Sequence, residues 1–140
     1  MKNKLIELKR TFLCLSVLLI ATSAAMAQIR LKEDITCKQA LLLIQKQNPD
    51  TSFVILDVRT PDEYKNGYIE NAINIDYKSA DFQDRISQLD KKKTYLVYCK
   101  AGVRSAYTIG IMKDHDFNNL YHLYEGMKMW INYGYKTVTE

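Results

Sequence analysis

The 140 residues contain only three cysteines and two histidines, and no spacing among them matches a metal-binding pair or quartet. A metal site is therefore not expected, and no cofactor is called for. No segment repeats and none is of low complexity, which argues against an array of stacked units. The chain also lacks an apolar run of the roughly 18–20 residues that a membrane-spanning helix needs. Its apolar run from Phe12 to Ile20 is shorter and tails off through Ala21, Thr22, Ser23 and Ala24.

An excess of one charge is missing from most of the chain. Lys2, Lys4, Lys9 and Arg10 stand ahead of the apolar run, and Ala25-Met26-Ala27 follows it as an A-x-A cleavage signature. Residues 1–27 are expected to be a secretory signal peptide cut before Gln28. The protein is then exported, with the periplasm as the expected location and no stable membrane anchor after cleavage. Cys14 lies inside the apolar region behind Leu13, so it is not an acylation site and leaves with the leader. The leader holds four of the 20 Lys/Arg and one of the 16 Asp/Glu, so residues 28–140 are nearly neutral. Lys91-Lys92-Lys93 is a solvated turn without an accompanying basic face. A nucleic-acid or membrane-surface partner is not expected. The length of 28–140 suits one domain with one core, expected as a monomer.

Residues 94–105, TYLVYCKAGVRS, organise the rest. Thr94, Tyr95, Leu96, Val97 and Tyr98 read as a buried strand. Cys99 follows, Gly102 allows a tight turn, and from Arg104 the pattern becomes helical through Ala106, Ile109, Ile111 and Met112. A cysteine between a strand end and a helix start meets unpaired N–H groups that stabilise negative charge. Lys100 and Arg104 add two cations. Such surroundings lower a thiol pKa from about 8.5 towards about 3.5–7.5, and the same loop is an anion cradle. The competing reading is that Cys99 is a small core residue; the glycine, the cations and the helix start favour function.

Along the chain, residues 29–31 read as a short strand. Thr36 and Gln39 form a capping box for a helix ending before Asn48-Pro49, with Cys37 in its first turn as a half-buried structural residue. Phe53 to Asp57 is a buried strand with Asp57-Val58-Arg59 at its carboxyl end, where open α/β sheets place their sites. Thr60, Pro61 and Glu63 start a second short helix that Gly67 ends. Ala72 to Ile75 is a further strand, and Ser79 is expected to cap a helix carrying Phe82, Ile86 and Leu89. Residues 120–123 form the last strand, and a short helix with Met127 and Trp130 runs to Gly134. His115 and His122 read as surface or packing residues. The alternation predicts an α/β fold with a mainly parallel sheet and helices on both faces, a three-layer arrangement.

Over nearly all of residues 28–140 this pattern resembles a single rhodanese domain. Asp57-Val58-Arg59 resembles the D-x-R that ends the family's second strand. Glu63-Tyr64-x-x-Gly67-Tyr68-Ile69 with Ala72 and Asn74 is similar to its E-(Y/F)-x-x-G-H-I-x-x-A-x-N segment. Residues 99–105 are similar to the active-site loop C-x-x-G-x-R-S, and residues 120–126 with Trp130 to the closing segment. Two positions depart: Tyr68 stands where the family often has His, and Glu125 where the first Gly of a pair usually sits.

The resemblance implies sulfur transfer from a small anionic donor such as thiosulfate, through a persulfide on Cys99, to a thiol or cyanide. Lys100, Ala101, Gly102, Val103, Arg104 and Ser105 would bind the donor, with Lys100 and Arg104 on its sulfonate. Asp57, Arg59 and Glu63 are assigned to support, Arg59 pairing with Glu63. Related phosphatases and arsenate reductases of this fold have a loop one residue longer between Cys and Arg; the four residues between Cys99 and Arg104 favour a sulfur atom over a phosphoryl group. Two other readings stay open: a non-catalytic or slow persulfide carrier serving a partner protein, and a thiol oxidoreductase using Cys37 with Cys99, which requires Cα atoms within about 7 Å.

Overall fold

The computed structural model describes residues 34–47 and 51–139. The expected leader over 1–27, the strand over 29–31 and the helix stop at Asn48-Pro49 lie outside the described residues. Within them, strands and helices alternate: β1 (Asp34–Ile35), α1 (Cys37–Gln47), β2 (Phe53–Asp57), α2 (Pro61–Lys65), β3 (Ala72–Asn74), α3 (Phe82–Ser87), β4 (Thr94–Tyr98), α4 (Val103–Asp114), β5 (Leu120–Leu123) and α5 (Gly126–Asn132). The five strands form one parallel sheet in the order β1-β5-β4-β2-β3. The expected α/β fold with helices on both faces is the fold observed.

The period-2 alternation of strand side chains builds two cores. On β4, Tyr95 and Val97, then Cys99 beyond the strand end, face a core with Phe82 and Ile86 of α3 and Ile109 and Met112 of α4. Leu96 and Tyr98 face the other, with Cys37 and Ala40 of α1 and Met127 and Trp130 of α5. The central strands are thus apolar on both sides, as a covered parallel sheet requires. Burying each large side chain contributes about 1.5–3 kcal/mol. Trp130 also satisfies its indole N–H on the carbonyl of Lys136 at 3.0 Å.

Local signals fixed two of the five helix starts. Gln39 N–H donates to Thr36 Oγ1 at 3.2 Å, and Thr36 N–H donates to Gln39 Oε1 at 2.9 Å. Thr60 and Glu63 close the same box on α2, with Pro61 at its first position. Ser79 departs from its expected role. Its hydroxyl donates backwards to the Asp76 carbonyl at 2.9 Å, so it closes a turn, and α3 begins two residues further on behind Asp81 without a side-chain cap.

Candidate active site

The parallel sheet delivers Asp57, Cys99 and the β5–α5 turn to one edge, because all its strands end on the same side. Cys99 is 1% exposed. Gly102 has φ +85°, and a Cβ there would lie 2.2 Å from the Tyr124 carbonyl oxygen. Gly126 has φ +65°, and a Cβ there would lie 2.6 Å from the Lys100 carbonyl oxygen. The two loops therefore touch backbone to backbone. Met127 and Lys128 N–H groups bind the carbonyls of Cys99 and Lys100 at 2.8 and 2.9 Å. This pins the nucleophile's loop from outside its own helix.

Burial alone would push the Cys99 thiol up. It is outweighed by the Ser105 hydroxyl, 3.4 Å from Sγ, and by the N–H groups of Ser105, Ala101 and Gly102, so the thiol pKa falls below its ordinary value. The direction is the expected one, and the hydrogen bonds of Ser105 and the backbone N–H groups are its cause. Lys100 is exposed at the rim. Arg104 turns its fork onto Glu63, Nη1 to Oε2 at 2.7 Å and Nη2 to Oε1 at 2.8 Å, two of five N–H donors.

That pairing corrects the expected Arg59–Glu63 contact. Arg59 instead grips Asp57, with Nη2 2.6 Å from Oδ2 and Nε 2.9 Å from the same oxygen, and Nη2 also donates to the Gly67 carbonyl at 2.8 Å. The reason is burial. Asp57 is 0% exposed, and a buried carboxylate needs a hydrogen-bonded cation, whereas the half-buried Glu63 is available to Arg104. Asn74 adds Nδ2 donors to the carbonyls of Asp57 and Arg59 at 3.0 and 2.9 Å. Arg59 also lies 5.6 Å from the Tyr98 ring centroid. Asp57 and Arg59 form a buried scaffold, and Glu63 holds the loop arginine.

Two clefts flank the loop. One of about 400 Å³ is lined by Arg59, Glu63, Lys100 and Lys128 among others. The other, about 520 Å³, is lined by Gly102, Val103, Tyr107, His122 and Tyr124. Among the described residues, no group of three or more His, Cys, Asp or Glu side chains is placed to hold a metal.

Cys37 and Cys99 are both free thiols. They belong to cores on opposite faces of the sheet, which leaves no route for them to work as a pair. Cys37 is fully rather than half buried; burial, with the Glu125 carboxylate beside it, pushes its thiol up to about 12. Glu125 Oε2 accepts the Cys37 N–H at 2.6 Å. The residue in the place of the usual glycine thus caps α1, and on the β5–α5 side Gly126 allows the close loop approach. Tyr68 stacks on Tyr64 at 4.0 Å between ring centroids and bridges in antiparallel fashion to Val138.

One site residue was missed. His122 is 6% exposed, and its ring lies between Ser105 and Asp34, so it is neither a surface nor a packing residue. The signal available was a polar residue in the middle of an otherwise apolar strand.

The chain matches the family of the rhodanese-like domain over residues 36–133. Over 82 residues it is 34% identical to a tRNA uridine(34) hydroxylase of Legionella pneumophila (strain Paris), covering 56% of this chain and 32% of that protein. It is 32% identical over 75 residues to a tRNA sulfurtransferase of Thermoplasma acidophilum, covering 54% of this chain and 15% of that protein. The chain thus spans about a third or less of these relatives. The crystal structure of a rhodanese-related protein from Thermoplasma volcanium superposes with a TM-score of 0.66 at 29% identity, covering 77% of this chain and 99% of that one. With a free, anion-stabilised cysteine on a pinned strand-to-helix loop and this match over most of its length, the chain belongs to the rhodanese-like domain family.

Proposed function

We propose that the protein is a sulfurtransferase that takes sulfane sulfur from a thiosulfate-like donor onto Cys99 and passes it to a thiophilic acceptor. The observation that carries this reading is the buried Cys99 sulfur facing the Ser105 hydroxyl and three loop N–H groups. In the first half, the Cys99 thiolate attacks the outer sulfur of the donor. A new S–S bond forms, the bond to the sulfonate sulfur breaks, and sulfite leaves with its electron pair. In the second half, an acceptor thiolate or cyanide attacks the outer persulfide sulfur, and the electron pair returns to Cys99. No cofactor enters, because both steps are displacements at sulfur in which one bond forms as an S–S bond breaks and the leaving sulfur keeps the electron pair. The loop N–H groups hold the persulfide anion as an oxyanion hole holds oxygen. Lys100 and the remaining Arg104 donors attract the sulfonate.

Relatives of this chain are named for tRNA chemistry, but the near-neutral balance of residues 28–140 supplies no electrostatic footprint for tRNA. The proposed acceptor is a thiol, and the proposed location is the periplasm, with residues 1–27 as the export signal. A persulfide carrier serving a partner protein is the second reading. It is favoured by Val103, Tyr107 and Tyr124, exposed by 64%, 64% and 45%, around the cleft beside the loop.

Intact-mass spectrometry after thiosulfate treatment, with Cys99→Ser alongside, tests the proposal. The wild type gains one sulfur that cyanide removes, and the variant gains none. A demonstrably free Cys99 that takes up no sulfur refutes it. Multiple turnover with thiosulfate and cyanide separates the enzyme from the carrier.

A further inference from the structure

Behind the Cys99 sulfur runs a line of three polar side chains. Strand register places them. Asp34 lies opposite His122 across β1 and β5, and Val97 lies opposite His122 across β4 and β5. Cys99 is two residues beyond Val97 and so shares its face. Ser105, in the first turn of α4, closes the line. Asp34 Oδ1 is 2.8 Å from His122 Nδ1, His122 Nε2 is 2.9 Å from Ser105 Oγ, and Ser105 Oγ is 3.4 Å from Cys99 Sγ. His122 Nε2 is also 3.0 Å from the Gly102 carbonyl oxygen, as is Ser105 Oγ. Three of the four side chains are buried; the Asp34 side chain is 48% exposed.

Counting protons gives each group a role. The Gly102 carbonyl only accepts, so the Nε2 contact requires an Nε2–H. An ionised Asp34 only accepts, so the Nδ1 contact requires an Nδ1–H. Both are met when the ring carries both protons. Ser105 has one hydroxyl hydrogen and three neighbours that could take it. With a proton on Nε2, the histidine serves Gly102 and Ser105 Oγ; the Gly102 carbonyl then has both lone pairs engaged, by that proton and by the Ala106 N–H at 3.0 Å, and the hydroxyl hydrogen is left for Cys99. With Nε2 bare, the ring takes that hydrogen and the sulfur loses its side-chain donor.

We propose that His122, held by Asp34, is a positioning residue that commits the Ser105 hydroxyl hydrogen to the Cys99 sulfur. The groups facing the ring are Asp34 from β1, Cys99 from the end of β4, Ser105 from α4 and the Gly102 carbonyl; the phenols of Tyr107 and Tyr124 line the same cleft. The hydrogen bond favours charge on Sγ. It therefore raises the thiolate fraction before loading, and it stabilises Sγ as the leaving group when the acceptor takes the outer sulfur. The role in discharge rests on the sulfur-transfer reading; the effect on the thiolate does not.

The test uses the full chain as wild type, Asp34→Asn and His122→Leu, which removes the ring donor without supplying another. Ultraviolet thiolate absorbance against pH is read first, and the expected result is a Cys99 midpoint raised by about one unit in both variants. Starting from loaded enzyme, discharge to cyanide slows several-fold, while loading above both midpoints stays within about twofold of wild type. Unmoved midpoints in folded variants overturn the proposal, as does equal slowing of loading and discharge at every pH. Asp34→Asn, at a half-exposed sheet edge, keeps the test available should His122→Leu not fold. If no variant and no wild type loads sulfur, the sulfurtransferase reading fails, and the midpoints still decide the role of His122.

Discussion

Ser105→Ala isolates the hydrogen bond on which the nucleophile most depends. Ser105 is fully buried, so alanine deletes one hydroxyl without adding bulk. It orphans little: the Gly102 carbonyl keeps the Ala106 N–H at 3.0 Å and the His122 ring at 3.0 Å. The fold should hold. A hydrogen bond to a charged group is worth about 1.5–3 kcal/mol, and one pKa unit corresponds to about 1.36 kcal/mol. The Cys99 midpoint is therefore expected to rise by roughly one to two units. Removing the donor leaves burial, the largest single influence on this thiol and an upward one, opposed only by the loop N–H groups. Below both midpoints the loading rate with thiosulfate falls about 10–100-fold, tracking the thiolate fraction. Above both it stays level or rises slightly, since a more basic thiolate is the better nucleophile. Single-turnover loading followed by mass spectrometry across pH, beside a thiolate titration, reads both limbs. A midpoint unchanged in a folded variant, or a loss of equal size at every pH, refutes the reasoning.

Gly102→Ala places a Cβ 2.2 Å from the Tyr124 oxygen at positive φ; the conformation alone costs about 1–2 kcal/mol, and the loop must move. Persulfide loading is expected to fall at least tenfold and the melting temperature to drop, so wild-type values in either assay would contradict the packing described. Arg59→Ala strips a buried carboxylate of its fork, and denaturant unfolding should show a loss of about 3–5 kcal/mol; a stable variant that loses activity would show that Arg59 meets substrate instead. Arg104 holds the Glu63 carboxyl, despite partial burial, down to about 2 from an ordinary 4.5. Because the folded value is depressed, this stabilisation is present above about 4.5 and fades as pH falls towards 2. The melting-temperature gap between wild type and Glu63→Gln should close over that window, and a constant gap would sink the assignment. Native alkylation at mildly alkaline pH should label Cys99 and spare Cys37, buried and pushed up to about 12; a Cys37 adduct on peptide mapping would overturn that.

What could be read in advance was what neighbouring residues decide. The strand before Cys99, the turn at Gly102 and the boxes at Thr36 and Thr60 each depend on residues a few positions apart. The site's charge pairing does not. Arg59 and Glu63 stand at helical spacing and invite pairing, yet burial gives Arg59 to Asp57, while Arg104, 41 positions from Glu63, takes the carboxylate. His122 and Asp34 are 88 positions apart and meet only because β1 joins β5 at the sheet edge. Ser79 does not cap because the chain turns there on Asp76 and α3 starts only behind Asp81, so no helix N–H is presented to its hydroxyl.

Glu125 shows how such distant contacts reshape a family pattern. A family usually places glycine there, and a carboxylate beside a loop that must stabilise a thiolate looks harmful. The structure turns it away from Cys99 and onto the Cys37 N–H at the start of α1, where a helix terminus favours negative charge. The close approach that needs a glycine is met by Gly126, whose absent Cβ makes room for the Lys100 carbonyl. One glycine on the β5–α5 side, facing Gly102 on the other, is thus enough to pin the loop, and position 125 is free to tie β5 to α1. Burial keeps the Cys37 thiol un-ionised, and the carboxylate that caps its helix adds to that effect. Among the described residues one reactive sulfur is left, on one face of the sheet, and the proposed persulfide needs that restriction if it is not to be lost to the other described thiol, Cys37.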